Sequence, residues 1–224
     1  MSNRSEIASQ IDHTVLNPTS PHAAFADACD YAIANRCASV CICPFFVREC
    51  AELLRGSGVA VCTVIGFPHG THATEAKVAE ARIAMADGAA ELDMVVNVSK
   101  CKDGDWDYVE RDVAEVCRAV HEGGRLLKVI FECCFLSDEE KVRLCEICTK
   151  VGVDFVKTST GYGSHGATPE DVALMRAAVS DRVKVKAAGG MRTLDAILAV
   201  REAGADRCGV SATEAIMKEA AERL

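Results

Sequence analysis

Residues 127–158 read LKVIFECCFLSDEEKVRLCEICTKVGVDFVKT, and this stretch contains one complete structural unit. Both of its ends are short apolar runs typical of buried strands, and its middle repeats apolar residues at helical spacing. Ser137 followed three residues later by Glu140 predicts a capping box at the start of the helix, and Gly152 predicts its C-terminal cap. The stretch therefore predicts a strand, a helix and a second strand.

The same alternation extends along all 224 residues. It indicates a parallel sheet buried on both faces, because each crossover helix has to cover the sheet. Strands are expected at Ile11–Thr14, Ser39–Cys43, Val59–Ile65, Glu91–Val96, Leu127–Glu132, Phe155–Thr158, Val183–Ala187 and Arg207–Val210. Helices are expected at Ala23–Ala34, Phe46–Leu54, Thr74–Ala86, Tyr108–His121, Asp138–Lys150, Pro169–Val179, Thr193–Ala203 and Glu214–Leu224.

Eight strand–helix units fit a closed (β/α)8 barrel, whose usual size of roughly 250 residues is close to this length. The alternative is a doubly wound open sheet, which usually has a Gly-x-Gly-x-x-Gly loop after its first strand. Here the first strand runs into Asp12-His-Thr-Val-Leu-Asn-Pro18, which contains no glycine. No linker or composition shift marks a second domain. The sequence therefore predicts a single α/β TIM-barrel domain over residues 1–224.

The composition disfavours several kinds of partner and location. With 25 Lys and Arg against 33 Asp and Glu, the formal net charge of −8 disfavours binding to nucleic acid or to an anionic membrane surface. No apolar run reaches the roughly 18 residues needed to cross a bilayer, and Met1–Asp12 lacks the apolar stretch of a signal peptide. We therefore expect a cytoplasmic protein.

The sequence has 13 cysteines, an odd number, and most of them lie within apolar runs. Reduced thiols packed as small hydrophobic groups explain this pattern better than a disulfide framework does. Cys145 and Cys148 have the Cys-x-x-Cys spacing of a redox or zinc site, but no second pair stands at a matching distance. Both lie in an expected helix, so we predict core packing and no metal site.

Four charged residues fall inside expected strands: Lys128, Lys157, Lys186 and Asp93. A charge buried alone is costly, so several lysines directed into one barrel are expected to lower one another's proton affinity. A desolvated lysine beside another cation can attack a carbonyl group and form a Schiff base. Alternatively, each lysine reaches solvent or pairs with an acid. Lys184 has the same parity as Lys186 and stays unassigned.

Glycine-rich turns follow the last two strands, where barrels often bind phosphate on backbone amides and helix N-termini. The loop Gly189-Gly190-Met191-Arg192-Thr193 follows strand seven, and Ser211 follows strand eight. Arg192 and Ser211 add further donors, and the turn at Gly161 adds another amide. We therefore favour a phosphate-binding site over ordinary loops.

Other candidates have simpler explanations. His69 and His72 could form half of a metal site, but their spacing matches none of the common ligand pairs, so a loop is favoured. His13 is either a general base or a structural histidine, and both readings stay open. The run Asp103-Gly-Asp-Trp-Asp lacks the bidentate glutamate of a calcium loop, so it predicts a turn that opens a helix.

Five segments together resemble the deoxyribose-phosphate aldolase family, in order from about Ile11 to Thr213. They are Asp12-His13-Thr14, Val64-Ile65-Gly66-Phe67-Pro68-His69-Gly70, Glu91-Leu92-Asp93-Met94-Val95, Val156-Lys157-Thr158-Ser159-Thr160-Gly161 and Lys186-Ala187-Ala188-Gly189-Gly190-Met191-Arg192-Thr193. The resemblance implies a barrel-fold class I aldolase that reversibly cleaves 2-deoxy-D-ribose 5-phosphate to D-glyceraldehyde 3-phosphate and acetaldehyde. It also implies catalysis without a metal, and a place in deoxyribonucleoside catabolism.

The resemblance implies a role for each matching residue. Lys157 is the Schiff-base lysine, Lys186 is the neighbouring cation that favours its uncharged amine, and Asp93 donates and accepts protons. Lys128 and Asp12 support proton transfer. A cysteine near the substrate corresponds to Cys41. The phosphate group is expected on Gly161, Gly189, Gly190, Gly209 and Ser211.

This chain departs from some family members. Tyr162 stands where they have a lysine, Ala212 stands where they have a second serine, and Arg223-Leu224 ends the sequence where they have a tyrosine. Phosphate binding is therefore expected to rest more on backbone amides and Arg192. Two other functions stay open, namely a Schiff-base aldolase for a different sugar phosphate, and a silent barrel whose thiols bind metal or respond to redox changes. A homodimer is possible.

Overall fold

The computed structural model describes residues 3–224 and shows a closed barrel of eight parallel strands in chain order. Each strand pairs with its neighbours in sequence, and the last pairs with the first. The strands are β1 (Ile11–Val15), β2 (Ser39–Ile42), β3 (Ala60–Ile65), β4 (Glu91–Val95), β5 (Leu126–Ile130), β6 (Phe155–Lys157), β7 (Lys184–Ala188) and β8 (Arg207–Val210). The predicted (β/α)8 barrel is confirmed, and the closed ring excludes the open sheet.

Helices surround this ring and connect successive strands. They are α1 (Arg4–Ala8), α2 (Ala23–Asn35), α3 (Val47–Leu53), α4 (Thr74–Ala86), α5 (Val98–Lys102), α6 (Trp106–Glu122), α7 (Asp138–Val151), α8 (Pro169–Ala178), α9 (Leu194–Glu202) and α10 (Thr213–Arg223). Within residues 3–224, no helix is long and apolar enough to cross a membrane.

The sequence analysis missed two helices and two short 3-10 turns. Helices α1 and α5 have five residues each, and the turns are Pro44–Phe46 and Cys133–Phe135. Segments this short do not complete two helical turns, so they leave no periodic apolar pattern to detect. Elsewhere the expected elements are present, with ends that differ from the expected ones by at most two residues.

Side-chain caps fix several helix ends where the sequence placed them. Ser137 and Glu140 form the predicted capping box of α7, and Gly152 ends that helix with a left-handed φ of 83°. Thr168 caps α8 ahead of Pro169. The Asp103–Asp107 turn does open a helix, because the Asp105 side chain accepts a hydrogen bond from the backbone N of Tyr108.

The core lies between the barrel and its helices, and thiols form part of it. All 13 cysteines are free, and all but Cys43 and Cys134 are buried. Cys145 and Cys148 are fully buried within α7, which agrees with the predicted core packing. Burial raises the pKa of Cys145 to about 12 and that of Cys148 well above its usual value. These thiols therefore behave as small apolar side chains.

Candidate active site

Strand register brings the charged residues of the barrel together. Asp93 of β4 lies opposite Lys128 of β5, and Lys157 of β6 lies opposite Lys186 of β7. Side chains on a strand alternate between its two faces, so matched positions on adjacent strands point to the same side of the sheet. All four side chains are at least 97% buried, because Lys157 is 3% exposed and the other three are 0% exposed.

Asp93 lies at the centre of this group. Its Oδ2 atom accepts hydrogen bonds from Lys157 Nζ at 2.8 Å and from Lys186 Nζ at 2.8 Å, and its Oδ1 atom accepts one from Lys128 Nζ at 2.8 Å. Burial by itself raises the pKa of Asp93, but the three ammonium groups outweigh burial and hold that pKa well below its usual value. The Asp93 carboxylate therefore stays ionised at neutral pH.

A second carboxylate, Asp12, lies deeper in the barrel. Asp12 forms an ion pair with Lys186 and lies 3.5 Å from Lys128 Nζ, while its Oδ1 atom accepts hydrogen bonds from Arg207 at 2.5 Å and Ser39 at 2.7 Å. Burial raises the pKa of Asp12, but the three surrounding cations outweigh it and lower that pKa far below its usual value.

The sequence analysis missed Arg207 and Glu91, which complete the charged cluster. Glu91 Oε2 lies 2.6 Å from Lys128 Nζ and 3.2 Å from Arg207 Nη1. Both residues occupy the first positions of strands, β4 and β8, that the sequence had predicted. That placement was the available signal, because a charged residue inside a barrel strand requires a partner.

The expectation that the lysines lower one another's proton affinity holds as one contribution, since the charge of Lys128 lowers the pKa of Lys186, but the net pKa of both lysines is raised. Burial lowers the pKa of both groups, but neighbouring carboxylates outweigh burial and raise it above the usual value. Lys128 faces Asp12, Glu91 and Asp93, and Lys186 faces Asp12 and Asp93. Carboxylates in contact act more strongly than the other ammonium groups, so these two lysines stay charged.

Lys157 differs from the other two lysines. Among the described residues its ion-pair partner is Asp93 alone, through the oxygen that Lys186 also occupies. Lys157 also lines a cavity of about 610 Å³ at the carboxyl ends of the strands. Among the three lysines of the cluster, Lys157 is therefore the one that borders this cavity.

The cavity also contains the residues expected to bind phosphate. They are Gly161, Gly189, Gly190, Arg192, Gly209 and Ser211. Within residues 3–224, the backbone N–H groups of Gly161, Gly189, Gly190 and Ser211 have no hydrogen-bond acceptor, and Arg192 has no ion pair. Unpaired amides on glycine turns beside a free guanidinium form a suitable site for an anion.

Glycine is required where two of these turns meet. Gly161 and Gly189 both have positive φ, 93° and 84°, and a Cβ atom on Gly189 would lie 3.4 Å from Gly161 Cα. A Cβ atom on Gly166 would lie 2.1 Å from the carbonyl oxygen of Gly189, which is an impossible contact. The absence of side chains here lets the two loops pack backbone to backbone beside the cavity.

Tyr162 links two loops at the edge of the cavity. Its hydroxyl donates a hydrogen bond to the carbonyl oxygen of Leu16 at 2.8 Å, and its ring packs edge-on against Phe67. The residue lines the cavity but provides no cation there. At this edge the cavity therefore has an uncharged side chain where some family members have a lysine.

Cys41 does not line the cavity. It is fully buried and packs with Cys62 and Val64, and its proximity to substrate stays a prediction. A hydrogen bond with Cys62 lowers the pKa of Cys41, while burial raises the pKa of Cys62 well above its usual value. Cys62 was missed by the sequence analysis, and it contacts both Asp93 and Lys128.

Two groups of potential metal ligands occur among the described residues, and both include Cys62. They are Cys41, Cys62 and Asp93, and Asp12, Cys62 and Glu91. A metal requires deprotonated ligands, whereas burial keeps the Cys62 thiol protonated and ammonium groups already occupy the three carboxylates. This donor set suits the ammonium groups and does not suit a metal ion.

The remaining candidates do not enter the site. His13 Nδ1 lies 2.7 Å from the hydroxyl of Thr213, and burial lowers the pKa of His13 to about 4, which fits a structural histidine. His69 and His72 are exposed in the loop after β3. Lys184 is exposed at the start of β7, with its Nζ 5.7 Å from the centre of the Phe155 ring.

Comparison with known proteins agrees with this geometry. A protein-family model described as DeoC/LacD family aldolase matches residues 7–219. The chain is 51% identical to deoxyribose-phosphate aldolase of Rhodopirellula baltica over 219 residues, which cover 98% of this chain and 91% of that protein. It is 52% identical to deoxyribose-phosphate aldolase of Bacillus cytotoxicus over 211 residues, 94% of each chain.

Two solved structures are similar over nearly the whole chain. The tetrameric deoxyribose phosphate aldolase from Aeropyrum pernix has a TM-score of 0.93 with 28% sequence identity, and the match covers 100% of this chain and 94% of that one. An aldolase called QR15 has a TM-score of 0.91 with 37% identity, covering 97% and 96%. On the family match and these relatives, the chain belongs to the DeoC/LacD family of aldolases.

Proposed function

We propose that this chain reversibly cleaves 2-deoxy-D-ribose 5-phosphate to D-glyceraldehyde 3-phosphate and acetaldehyde, through a Schiff base on Lys157. The names of the relatives support this substrate, since both curated relatives are deoxyribose-phosphate aldolases. The geometry supports the chemistry, because a lysine and a carboxylate meet at a cavity that also offers unpaired amides and a guanidinium.

The observation that carries the proposal is the charge balance of the barrel cluster. Its cations are Lys128, Lys157, Lys186 and Arg207, and its carboxylates are Asp12, Glu91 and Asp93. Four cations face three carboxylates, so one amine can lose its proton without leaving a carboxylate unpaired. Lys157 is that amine, because it shares its one carboxylate oxygen with Lys186 and lies at the cavity.

The proposed reaction uses this uncharged amine as a nucleophile. Lys157 attacks the aldehyde carbon of the open-chain sugar, and Asp93 transfers protons as the carbinolamine loses water and becomes an iminium ion. The C2–C3 bond then breaks as the C3 hydroxyl gives its proton to Asp93 through a relayed water and the electron pair moves to the iminium nitrogen. The new aldehyde leaves, and an enamine remains on Lys157.

Completion of the cycle requires one further proton and one water molecule. Protonation of the enamine carbon gives a second iminium ion, and hydrolysis of this ion releases acetaldehyde and the Lys157 amine. Asp93 is 2.8 Å from Lys157 Nζ and is placed to pass the proton to the enamine, with a relayed water. The reaction as proposed uses groups of the protein and water and takes no metal.

The other residues have supporting roles in this proposal. Lys186 is the charged neighbour that favours the uncharged form of Lys157, and Lys128 and Asp12 hold Asp93 and Lys186 in place. Cys41 is proposed to lie near the bound substrate, although it does not line the cavity. The phosphate group binds to the amides at Gly161, Gly189, Gly190, Gly209 and Ser211, with Arg192 as the cation.

The proposed biological setting is the breakdown of deoxyribonucleosides in the cytoplasm, as the family resemblance implies. The proposal places the activity in one barrel domain over residues 1–224. Neither nucleic acid nor a membrane is a proposed partner, and a homodimer stays a prediction.

The experiment that tests the proposal traps the covalent intermediate. The protein is treated with sodium borohydride in the presence of acetaldehyde, and its intact mass is compared with those of Lys157→Ala and Lys184→Ala. We expect a two-carbon adduct on the wild type and on Lys184→Ala, mapped to Lys157, and none on Lys157→Ala. Absence of an adduct from the folded wild type would refute the Schiff-base mechanism.

Turnover on several phosphorylated sugars identifies the substrate. We expect the highest kcat/KM on 2-deoxy-D-ribose 5-phosphate. A higher value on another sugar phosphate, together with an intact adduct on Lys157, would retain the mechanism and replace the substrate.

A further inference from the structure

Glu132 is a buried carboxylate that the proposed reaction does not use. It follows β5 and is 3% exposed, and it forms no ion pair with any residue from 3 to 224. Its carboxylate accepts two hydrogen bonds from Thr160, one from the backbone N at 3.1 Å and one from the hydroxyl. A buried charge without a cation is costly, so these hydrogen bonds are its principal compensation.

The backbone at Glu132 is also unusual. Its φ of 59° and ψ of 65° are left-handed, and within the described chain Arg36 is the other non-glycine residue with a positive φ. This conformation is unfavourable for a residue other than glycine. It reverses the chain directly after β5, where the backbone N of Cys133 donates to the carbonyl oxygen of Thr158 at 2.9 Å. The reversal places the Glu132 carboxylate against the loop after β6.

The hydrogen bonds of Glu132 determine which amides of that loop remain unpaired. The Thr160 hydroxyl donates its one proton to Glu132, so its oxygen is left to accept from the backbone N of Tyr162 at 3.0 Å. The N–H groups on both sides of Gly161 are thereby used. The Gly161 N–H stands between them without an acceptor among the described residues, at the cavity.

We propose that Glu132 is a positioning residue that orients the Gly161 amide toward the phosphate group of the substrate. In doing so it sets the preference of the enzyme for phosphorylated over unphosphorylated sugars. The inference rests on the proposed function for the identity of the substrate. The part that concerns binding requires only that an anion occupies the cavity. Glu132 acts through Thr160 and has no contact with the Lys157–Asp93 pair.

The main test compares Glu132→Gly with the wild type on two substrates, 2-deoxy-D-ribose 5-phosphate and 2-deoxy-D-ribose. Glycine suits the positive φ, so this variant removes the carboxylate without straining the turn. We expect KM for the phosphorylated sugar to rise about tenfold, because the variant loses one to two charge-assisted hydrogen bonds. The kcat should stay within about twofold of the wild-type value. The kcat/KM on unphosphorylated 2-deoxy-D-ribose should not change. An equal fall on both substrates would show a merely structural role and overturn the proposal.

Thr160 provides the matched pair of variants. Thr160→Val removes the hydroxyl that links Glu132 to Tyr162 and should repeat the rise in KM, while Thr160→Ser retains the hydroxyl and should behave as the wild type. Sodium borohydride trapping of acetaldehyde on Lys157 should proceed normally in every variant, which shows that the folded site is intact. Identical KM values for Thr160→Val and Thr160→Ser would contradict the proposed link.

Calorimetric titration with inorganic phosphate separates this inference from the proposed function. We expect the Kd for inorganic phosphate to be about tenfold higher in Glu132→Gly than in the wild type. If the wild type failed to cleave the sugar phosphate yet showed this difference, the proposed function would fail and the role of Glu132 would stand. Equal Kd values in the two proteins would overturn the role of Glu132.

Discussion

Two of the buried lysine–aspartate groups in the protein differ in charge balance. Between α4 and α6, Lys77 Nζ lies 2.6 Å from Asp112 Oδ2 and 3.0 Å from the carbonyl oxygen of Val95. The Asp112 Oδ1 atom accepts from the Thr74 hydroxyl at 2.8 Å. This pair has one cation and one carboxylate, and neither side chain lines the cavity of about 860 Å³ that lies between α4 and α6. Inside the barrel, four cations face three carboxylates and one lysine borders a cavity.

The difference shows what makes a buried lysine chemically useful. Lys77 is fully buried, yet one carboxylate neutralises its ammonium group. Hydrogen bonds with the Val95 carbonyl oxygen and the Thr74 hydroxyl complete the pair. Such a pair has no surplus charge to release and no substrate to meet. Lys157 has both a shared carboxylate and a cavity. Burial and pairing are common to both lysines, and an imbalance of charge together with access to a cavity distinguishes Lys157, the proposed nucleophile, from Lys77.

The largest expected effect tests the surplus cation. Lys157→Met should reduce kcat/KM on 2-deoxy-D-ribose 5-phosphate by at least about a thousandfold, because the nucleophile is lost. Its free energy of unfolding should stay within about 1 kcal/mol, because Lys128 and Lys186 still neutralise Asp93. Steady-state kinetics and thermal unfolding measure the two effects. Strong destabilisation would show that Lys157 is a structural partner like Lys77.

The Lys77–Asp112 pair between α4 and α6 should respond in the opposite way, with a loss of stability and no loss of activity. Lys77→Met leaves Asp112 buried without its cation and should lower the free energy of unfolding by about 3–5 kcal/mol. The kcat of the folded fraction should not change. Chemical denaturation measures this, and Lys141→Met is the control, since Lys141 lies nearer the surface and should cost less. A double change with Asp112→Leu should recover most of the stability, and failure to do so would contradict a balanced pair.

A histidine beside the charged cluster gives a pH-dependent effect. Burial lowers the pKa of His13 to about 4, so the folded state resists its protonation between pH 6.5 and 4 while the unfolded state accepts a proton. Stability should therefore fall by about 2–3 kcal/mol as the pH drops through this range. Denaturation at pH 7 and pH 4 measures it, with His13→Gln as the control that should lose most of the dependence. An unchanged slope in His13→Gln would assign the acid sensitivity to other groups.

The smallest expected effect distinguishes two lysines on one strand. Lys186→Leu removes the charged neighbour of Lys157, so the activity profile should move to higher pH, with about a tenfold loss of kcat at pH 7. Lys184→Leu makes the same chemical change on β7 at an exposed position and should leave the profile unchanged. Rates measured from pH 5 to pH 10 decide between them. An unmoved profile in Lys186→Leu would remove the cation from the proposed mechanism.

Much of the site could be predicted from strand positions. Lys128, Lys157, Lys186 and Asp93 were identified because a charge inside an apolar strand is unusual, and all four do meet in the barrel. Arg207 and Glu91 were not predicted to belong to the cluster, although both begin strands of the barrel. The burial of Lys77 was also missed, since a lysine in an amphipathic helix normally faces solvent.

The sequence by itself determined the order of strands and helices, the closed barrel and the strand ends that carry the charged residues. These follow from local causes, namely apolar periodicity, caps such as Ser137 with Glu140, and glycine turns. The tertiary structure alone decided how many carboxylates each lysine faces and which amides remain unpaired. Those properties depend on the register of eight strands and on contacts such as Glu132 with Thr160, which join residues far apart in sequence. No local pattern encodes the sum of their electrostatic interactions.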